Sequence, residues 1–193
     1  MRTPHLSLAY EVPSAATAAE RGDVYALEVL AAVLDGGDGA RLPQALVRGD
    51  ELAAEVSAGY SPVARLDTRL SLDAVPAIGV DIKALESAVR AELAQLREEP
   101  VGAEELERAK NQLLADYLYQ LDSMFYQAMR IGMLETVGIG WQWLEGYEAG
   151  IRSVTAADVQ RVARQYLRED RLALGVLRPQ EQASGDDNGG EDR

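Results

Sequence analysis

The sequence predicts an α+β protein, a two-layer sandwich in which a mostly antiparallel sheet is covered by helices on one face. Three observations predict it. Apolar runs that end at prolines stand at the start and in the middle of the chain, as strands would. Segments of helical spacing then fill most of residues 85–166. One alternating run, Leu172, Leu174 and Val176, closes the pattern before Pro179. Grouped strands followed by grouped helices indicate segregated layers.

The elements follow in order. His5 to Val12 alternate loosely and stop at Pro13, which predicts a first strand. Residues 14–23, SAATAAERGD, read as a loop. Val24, Leu27, Val29, Leu30, Val33 and Leu34 recur at helical spacing, and Gly36, Gly37 and Gly39 end that helix. A short helix is expected over 40–47, with Pro43 tolerable only near its first turn. Leu52 to Tyr60 suits a strand. Leu66, Leu70 and Leu72 suggest another, stopped at Pro76, and 78–82 a third short piece. Leu85, Val89, Leu93 and Leu96 step along one helix face, and Pro100 ends that helix. A long helix begins near Ala103, its stripe being Leu106, Ala109, Leu113, Tyr117 and Leu121. Residues 124–137 are helical up to Gly138-Ile139-Gly140, and 141–151 form a short helix. Thr155 and Asp158 have capping-box spacing, with Asp where Glu or Gln is usual, before a helix carrying Val159, Val162, Ala163 and Tyr166. The folded domain is expected over 1–179, and the polar, glycine-rich tail 180–193 is expected to be disordered.

Composition narrows the function classes. The chain has 193 residues, 47% of them hydrophobic, enough for one sizeable core. Its formal charge of −13 argues against nucleic acid and anionic membranes as partners, because both need a basic patch. No apolar run reaches the roughly 20 residues of a membrane span. The opening residues hold no apolar stretch of signal-peptide length and read as a strand entered directly, as if Met1 had been added to a domain cut from a longer chain. Cysteine is absent and His5 is the single histidine. A catalytic zinc takes three protein ligands, usually including two histidines, so no conventional zinc site is expected in this chain. Both H-x-x-E-H and any Ser-His-Asp or Cys-His set in useful form are excluded by the same count.

Three segments carry a resemblance. LEVLAAVLDGGDGARLPQALVRGDELAAEVSAGYSP resembles a stretch of the pitrilysin/insulinase zinc metallopeptidase family, where a helix leads to a glycine-rich turn, a short helix and a strand. AEELERAKNQLLADYLYQLDS resembles that family's long helix, and VTAADVQRVARQYLREDRLALGVLRP its closing helix and strand. The likeness covers about His5 to Pro179, and its fold is the one shared by LuxS and the mitochondrial processing peptidase. It implies the C-terminal, zinc-free type of domain, which closes a chamber over peptide substrate while zinc sits in a partner domain or subunit. By this implication the chain alone has no peptidase activity, and a periplasmic home is suggested for it. A non-catalytic scaffold homologue, or an inactive subunit of a two-subunit peptidase, is the alternative. Such domains often carry a substrate-holding arginine and a following tyrosine. The resemblance puts the arginine at Arg48, whereas the tyrosine's place falls near Ala54, which puts a direct transition-state role in doubt.

The remaining candidates have structural readings. Glu104, Glu105 and Glu107 suit the positive end of a helix. Tyr117, Tyr119, Phe125, Tyr126, Trp141 and Trp143 suit a core or a contact with a neighbouring domain better than a peptide groove. A domain separated from its pair should expose the apolar surface that faced its neighbour, so self-association as a homo-oligomer is expected.

Overall fold

The computed structural model describes residues 3–179. Its strands are β1 (His5–Val12), β2 (Ala53–Tyr60), β3 (Thr68–Pro76) and β4 (Leu172–Leu177). Its helices are α1 (Arg21–Asp35), α2 (Ile82–Glu98), α3 (Ala103–Leu121), α4 (Met124–Val137), α5 (Tyr147–Ser153) and α6 (Ala156–Tyr166). A π-helical turn spans Pro43–Gly49, and a 3-10 turn spans Trp141–Gly146. The tail expected to be disordered lies outside the described residues.

The strands form one antiparallel sheet in the order β2-β3-β1-β4. Alternation along β1 turns Leu6, Leu8, Tyr10 and Val12 to the buried face, and the register sets Leu8 opposite Leu72 on β3 and Leu174 on β4. Helices α1, α2 and α6 pack on that face, so the α+β two-layer expectation is borne out. A helix apolar on all sides belongs in an interior, and α1 buries its residues from Asp23 to Leu34 with Glu28 the one exception. Its end is held by the Gly36 N–H, which donates to the Ala32 carbonyl at 2.7 Å, and Gly37 follows at φ 103°. The glycine run is a helix stop.

Several boundaries differ from the sequence expectation. Residues 21–23 belong to α1, because Asp23 is drawn inward by partners on α6. The short helix expected over 40–47 is the π-helical turn Pro43–Gly49. Leu66 precedes β3 and is 74% exposed. The extra strand over 78–82 does not form: Ile78 is fully exposed in a turn that Gly79 completes at φ 84°, and Ile82 opens α2. There the Asp81 carboxylate caps the helix, accepting from the Lys83 N–H at 3.1 Å. On α3, Leu106, Ala109, Lys110 and Leu114 are buried, whereas Leu113 and Tyr117 are half-buried and Leu121 is exposed. The stripe loses cover along the second half of α3, where Leu113 and Tyr117 border a cavity and Leu121 faces solvent. The segment expected as one helix over 141–151 divides at Gly146 into the 3-10 turn and α5. The Thr155–Asp158 capping box is formed on both sides.

Candidate functional site

A cavity of about 400 Å³ opens between α1, the second half of α3, α4, the 3-10 turn and the end of β2. Four aromatic side chains line it: Tyr60, Tyr117, Trp143 and Tyr147. They belong to a wider cluster. Tyr25 of α1 stacks on Trp143 with centroids 5.2 Å apart, and its ring stands edge-on to Tyr147 at 6.2 Å. Tyr117 and Tyr147 lie 4.7 Å apart. Gly150 of α5 makes this packing possible, because a Cβ there would come within 3.0 Å of the Tyr25 ring.

Glu28 is the polar centre of the cavity. It lies between Leu27 and Val29 on α1, and the fold that buries its neighbours carries its carboxyl inward. The residue borders open space on one side, but its Oε2 is fully buried and has no hydrogen-bond partner among the described residues. Burial pushes the carboxyl up to about 8 from the ordinary 4.5, against the opposing pull of the Arg130 guanidinium and the Tyr147 hydroxyl. The same burial, with Glu28 nearby, raises the Tyr60 and Tyr147 phenols. Tyr60 donates to the Pro13 carbonyl at 2.7 Å, and Tyr117 to the Leu144 carbonyl at 3.4 Å. Arg130 of α4 sets its guanidinium 4.7 Å from the Tyr117 ring centre and 5.9 Å from that of Tyr147. Asp116 and Gln120 of α3 complete the polar lining.

The residues singled out from sequence lie mostly elsewhere. Arg48 ends the π-helical turn, half exposed, and pairs with the almost fully exposed Asp38 at 3.3 Å. It does not line the cavity. Ala54 is exposed and falls in a β-bulge between Ala53 and Glu55. His5 lies at the sheet surface, 3.1 Å from Asp73. Glu105 accepts from Arg41 Nε at 3.1 Å and from Arg41 Nη2 at 2.9 Å, and Glu107 is held by Lys110, so these two serve packing between elements and within a helix. The aromatic residues divide: Tyr117 and Trp143 line the cavity, while Tyr119, Phe125, Tyr126 and Trp141 are exposed. Much of α4 and the end of α3 is an exposed apolar surface that includes Leu118, Met124, Phe125, Met129 and Met133. Glu28 and Arg130 were not singled out from sequence. Their signal was a lone charge inside an apolar run, VYALEVLAAVL for one and AMRIGML for the other.

Among the described residues, no group of three His, Cys, Asp or Glu side chains is placed to hold a metal ion. The residues present do not fit a zinc site. No helix among them is long and apolar enough to cross a membrane.

Comparison with known families decides the lineage. The model of the peptidase M16 inactive domain matches residues 1–113. The chain belongs to the peptidase M16 inactive-domain family. The zinc-free domain type implied by the resemblance is therefore borne out. A protease from Helicobacter pylori is 21% identical with a TM-score of 0.82, over 93% of this chain and 42% of its own. This chain thus spans less than half of that protein. The inactive peptidase domain of an inferred zinc protease from Bordetella parapertussis is 24% identical with a TM-score of 0.82, over 93% of this chain and 92% of its own. A chain of the complex III dimer from Candida albicans is 14% identical with a TM-score of 0.75, over 91% of this M16 domain and 43% of its own length. At these identities the likenesses establish the fold alone. No protein of curated function matches the chain.

Proposed function

We propose that this M16 domain encloses and positions a peptide for a zinc-bearing partner domain or subunit, and performs no hydrolysis by itself. The observation that carries the reading is the cavity beside Glu28. An inactive-family domain with no metal-ligating group among its described residues has an open, aromatic-walled, polar-floored space. Concave sites that are mostly apolar with a few placed polar groups are the usual form of a ligand pocket. The exposed apolar surface of α3 and α4 suits a neighbouring domain. Holding a substrate in reacting geometry is itself a large catalytic contribution, supplied without any group that touches the reacting atoms. Arg48 is assigned a supporting contact with the peptide, since its ionic partner among the described residues, Asp38, is solvated and easily exchanged.

The scaffold alternative draws on Ala54, which stands where the tyrosine of substrate-holding relatives is expected. One experiment separates the readings. The zinc-bearing partner is recovered from the source cell by pull-down with this chain, and peptide hydrolysis is measured with and without the chain. Enclosure predicts no hydrolysis by the chain, a rise of at least tenfold in the partner's kcat/KM when both are present, and a higher KM with Arg48→Ala. A stable complex whose partner turns over peptide equally well without this chain would establish the scaffold reading instead.

A further inference from the structure

The cavity has an electrostatic character of its own. Its volume of about 400 Å³ lies inside the range of about 300–1,000 Å³ typical of ligand pockets. Aromatic faces attract cations, and here Tyr60, Tyr117, Trp143 and Tyr147 supply them. The hydroxyl protons of Tyr60 and Tyr117 are committed to backbone carbonyls, so those oxygens offer lone pairs. Glu28 Oε2 is buried and without a partner among the described residues. Asp116 brings a second carboxylate to the lining. The chain has already filled part of this space with a cation: the Arg130 guanidinium lies over two of the rings.

We propose that the cavity is a binding site for the basic side chain of a peptide, whose guanidinium or ammonium group sits between the Glu28 carboxylate and the faces of Tyr117, Tyr147 and Trp143. The assignment rests on the peptide-enclosing reading above and adds the substrate class. Arg130 is the cation that the ligand replaces or joins. It stands on α4, which exposes most of its apolar residues.

Proton linkage follows from the same geometry. Glu28 faces Arg130 from α4, Tyr147 from α5, Tyr60 from β2, Asp116 and Tyr117 from α3, and Tyr25 on its own helix. In the empty cavity burial keeps its carboxyl protonated until about pH 8. An entering cation favours the carboxylate, so one proton leaves Glu28 for solvent as each ligand binds. Affinity therefore rises about tenfold for each pH unit below 8 and levels off above it.

The test uses the 193-residue chain carrying Trp141→Phe, which leaves Trp143 as the single tryptophan and reports from the cavity wall. Its fluorescence is followed on titration with N-acetyl-arginine methylamide, its neutral isostere N-acetyl-citrulline methylamide, and N-acetyl-glutamate methylamide, between pH 6 and pH 9. The arginine compound is expected to bind at least tenfold more tightly than the citrulline one, with the pH rise just described, and Glu28→Gln should abolish that rise. Arg130→Gln, on the more exposed element, keeps the test decisive if Glu28→Gln misfolds: a cation site gains affinity when the resident guanidinium goes, whereas an anion site is lost. Equal binding of arginine and citrulline compounds, preference for the glutamate compound, or a flat pH profile overturns the assignment. If the arginine compound fails to bind while the chain still accelerates its zinc-bearing partner, the cavity assignment falls and the enclosure reading stands. Binding of the arginine compound without any effect on the partner does the reverse.

Discussion

Replacing Glu28 with glutamine tests the electrostatics of the cavity without any ligand. In the folded chain its carboxyl titrates at about 8, and in the unfolded chain near the ordinary 4.5. The folded value is raised, so the stabilising contribution of the neutral carboxyl is complete below about pH 4.5 and is lost as pH rises through about 8. Between those values the folded state holds a proton that the unfolded state has released. Stability must then fall by about 1.4 kcal/mol per pH unit from this group alone. Across the whole window the loss is at most about 5 kcal/mol. Because one flank of the residue borders an open cavity, water moderates the penalty, and about 2–3 kcal/mol is expected. Glutamine has nearly the same shape and cannot ionise, so Glu28→Gln removes the slope. Urea unfolding of both chains at pH 5, 7 and 9 reads the difference directly, and titrations shared by the two chains cancel. The variant should match the parent at pH 5 and exceed it by about 2–3 kcal/mol at pH 9. A stability difference that stays constant from pH 5 to pH 9 would refute the reasoning, since it would mean that Glu28 is as well solvated in the fold as in the unfolded chain.

Two further outcomes concern the frame around the cavity. Asp23 of α1 accepts from Arg161 Nη1 at 2.7 Å and from the Tyr166 hydroxyl at 2.8 Å, tying α1 to α6. Burial, with the hydrogen bond to Asp23, pushes that phenol up to about 12. Removing one partner of a buried pair costs about 3–5 kcal/mol. The Arg161 side chain is 42% exposed and regains water, so Asp23→Ala should cost about 2–3 kcal/mol in urea unfolding, and a loss under about 1 kcal/mol would show that the tie is idle. Gly150→Ala drives a methyl group into the Tyr25 ring, which cannot retreat because it is stacked on Trp143. Overpacking of this kind costs about 1–3 kcal/mol. It should also change Trp143 emission, and an unaltered spectrum with unaltered stability would disprove the contact.

The fold was largely legible because its main elements carry undiluted periodicity. Leu85, Val89, Leu93 and Leu96 all prove buried, as do Val159, Val162, Ala163 and Tyr166 behind a formed capping box. What failed was local. Ile78 looks like strand, yet two residues past a proline and next to Gly79 it has no neighbouring strand to pair with, and the chain turns there instead. Leu113 and Leu121 sit on the predicted stripe of α3, but Leu113 is only half-buried against the core and Leu121 lies beyond it, and a helix whose cover stops partway cannot be recognised from spacing. The family and its zinc-free type were legible from ordered segments and a histidine count. The cavity was not. Its walls come from β2, α1, α3, α4, the 3-10 turn and α5, so residues as far apart as Glu28, Tyr60, Arg130 and Tyr147 meet only after folding. Arg48 and Ala54 could be placed by analogy with relatives, but analogy points only to positions where a relative has a function.

The geometry around Glu28 also bears on why a charge stands there at all. A buried ion pair kept for stability needs close contacts that satisfy both partners, and even then an apolar replacement is often as stable. Glu28 does not meet that condition. Its Oε2 has no partner among the described residues, and the Arg130 guanidinium makes no ion pair with it but lies over the rings of Tyr117 and Tyr147. A leucine at this position would continue the apolar run of α1 on both sides and relieve the desolvation that raises the carboxyl. The stability argument therefore runs against the residue, while the open space beside it, the rings around it and the cation already drawn over them all favour a group that waits for a partner. Lys110 gives the contrast within the same fold. It is buried as well, yet its ammonium donates to Glu107 at 3.1 Å and to the Arg152 carbonyl at 3.2 Å, and it lines no part of this cavity. The Lys110 ammonium is satisfied and joins α3 to α5, whereas the Glu28 carboxyl keeps one oxygen unpartnered beside an open cavity, which is the arrangement expected of a binding site.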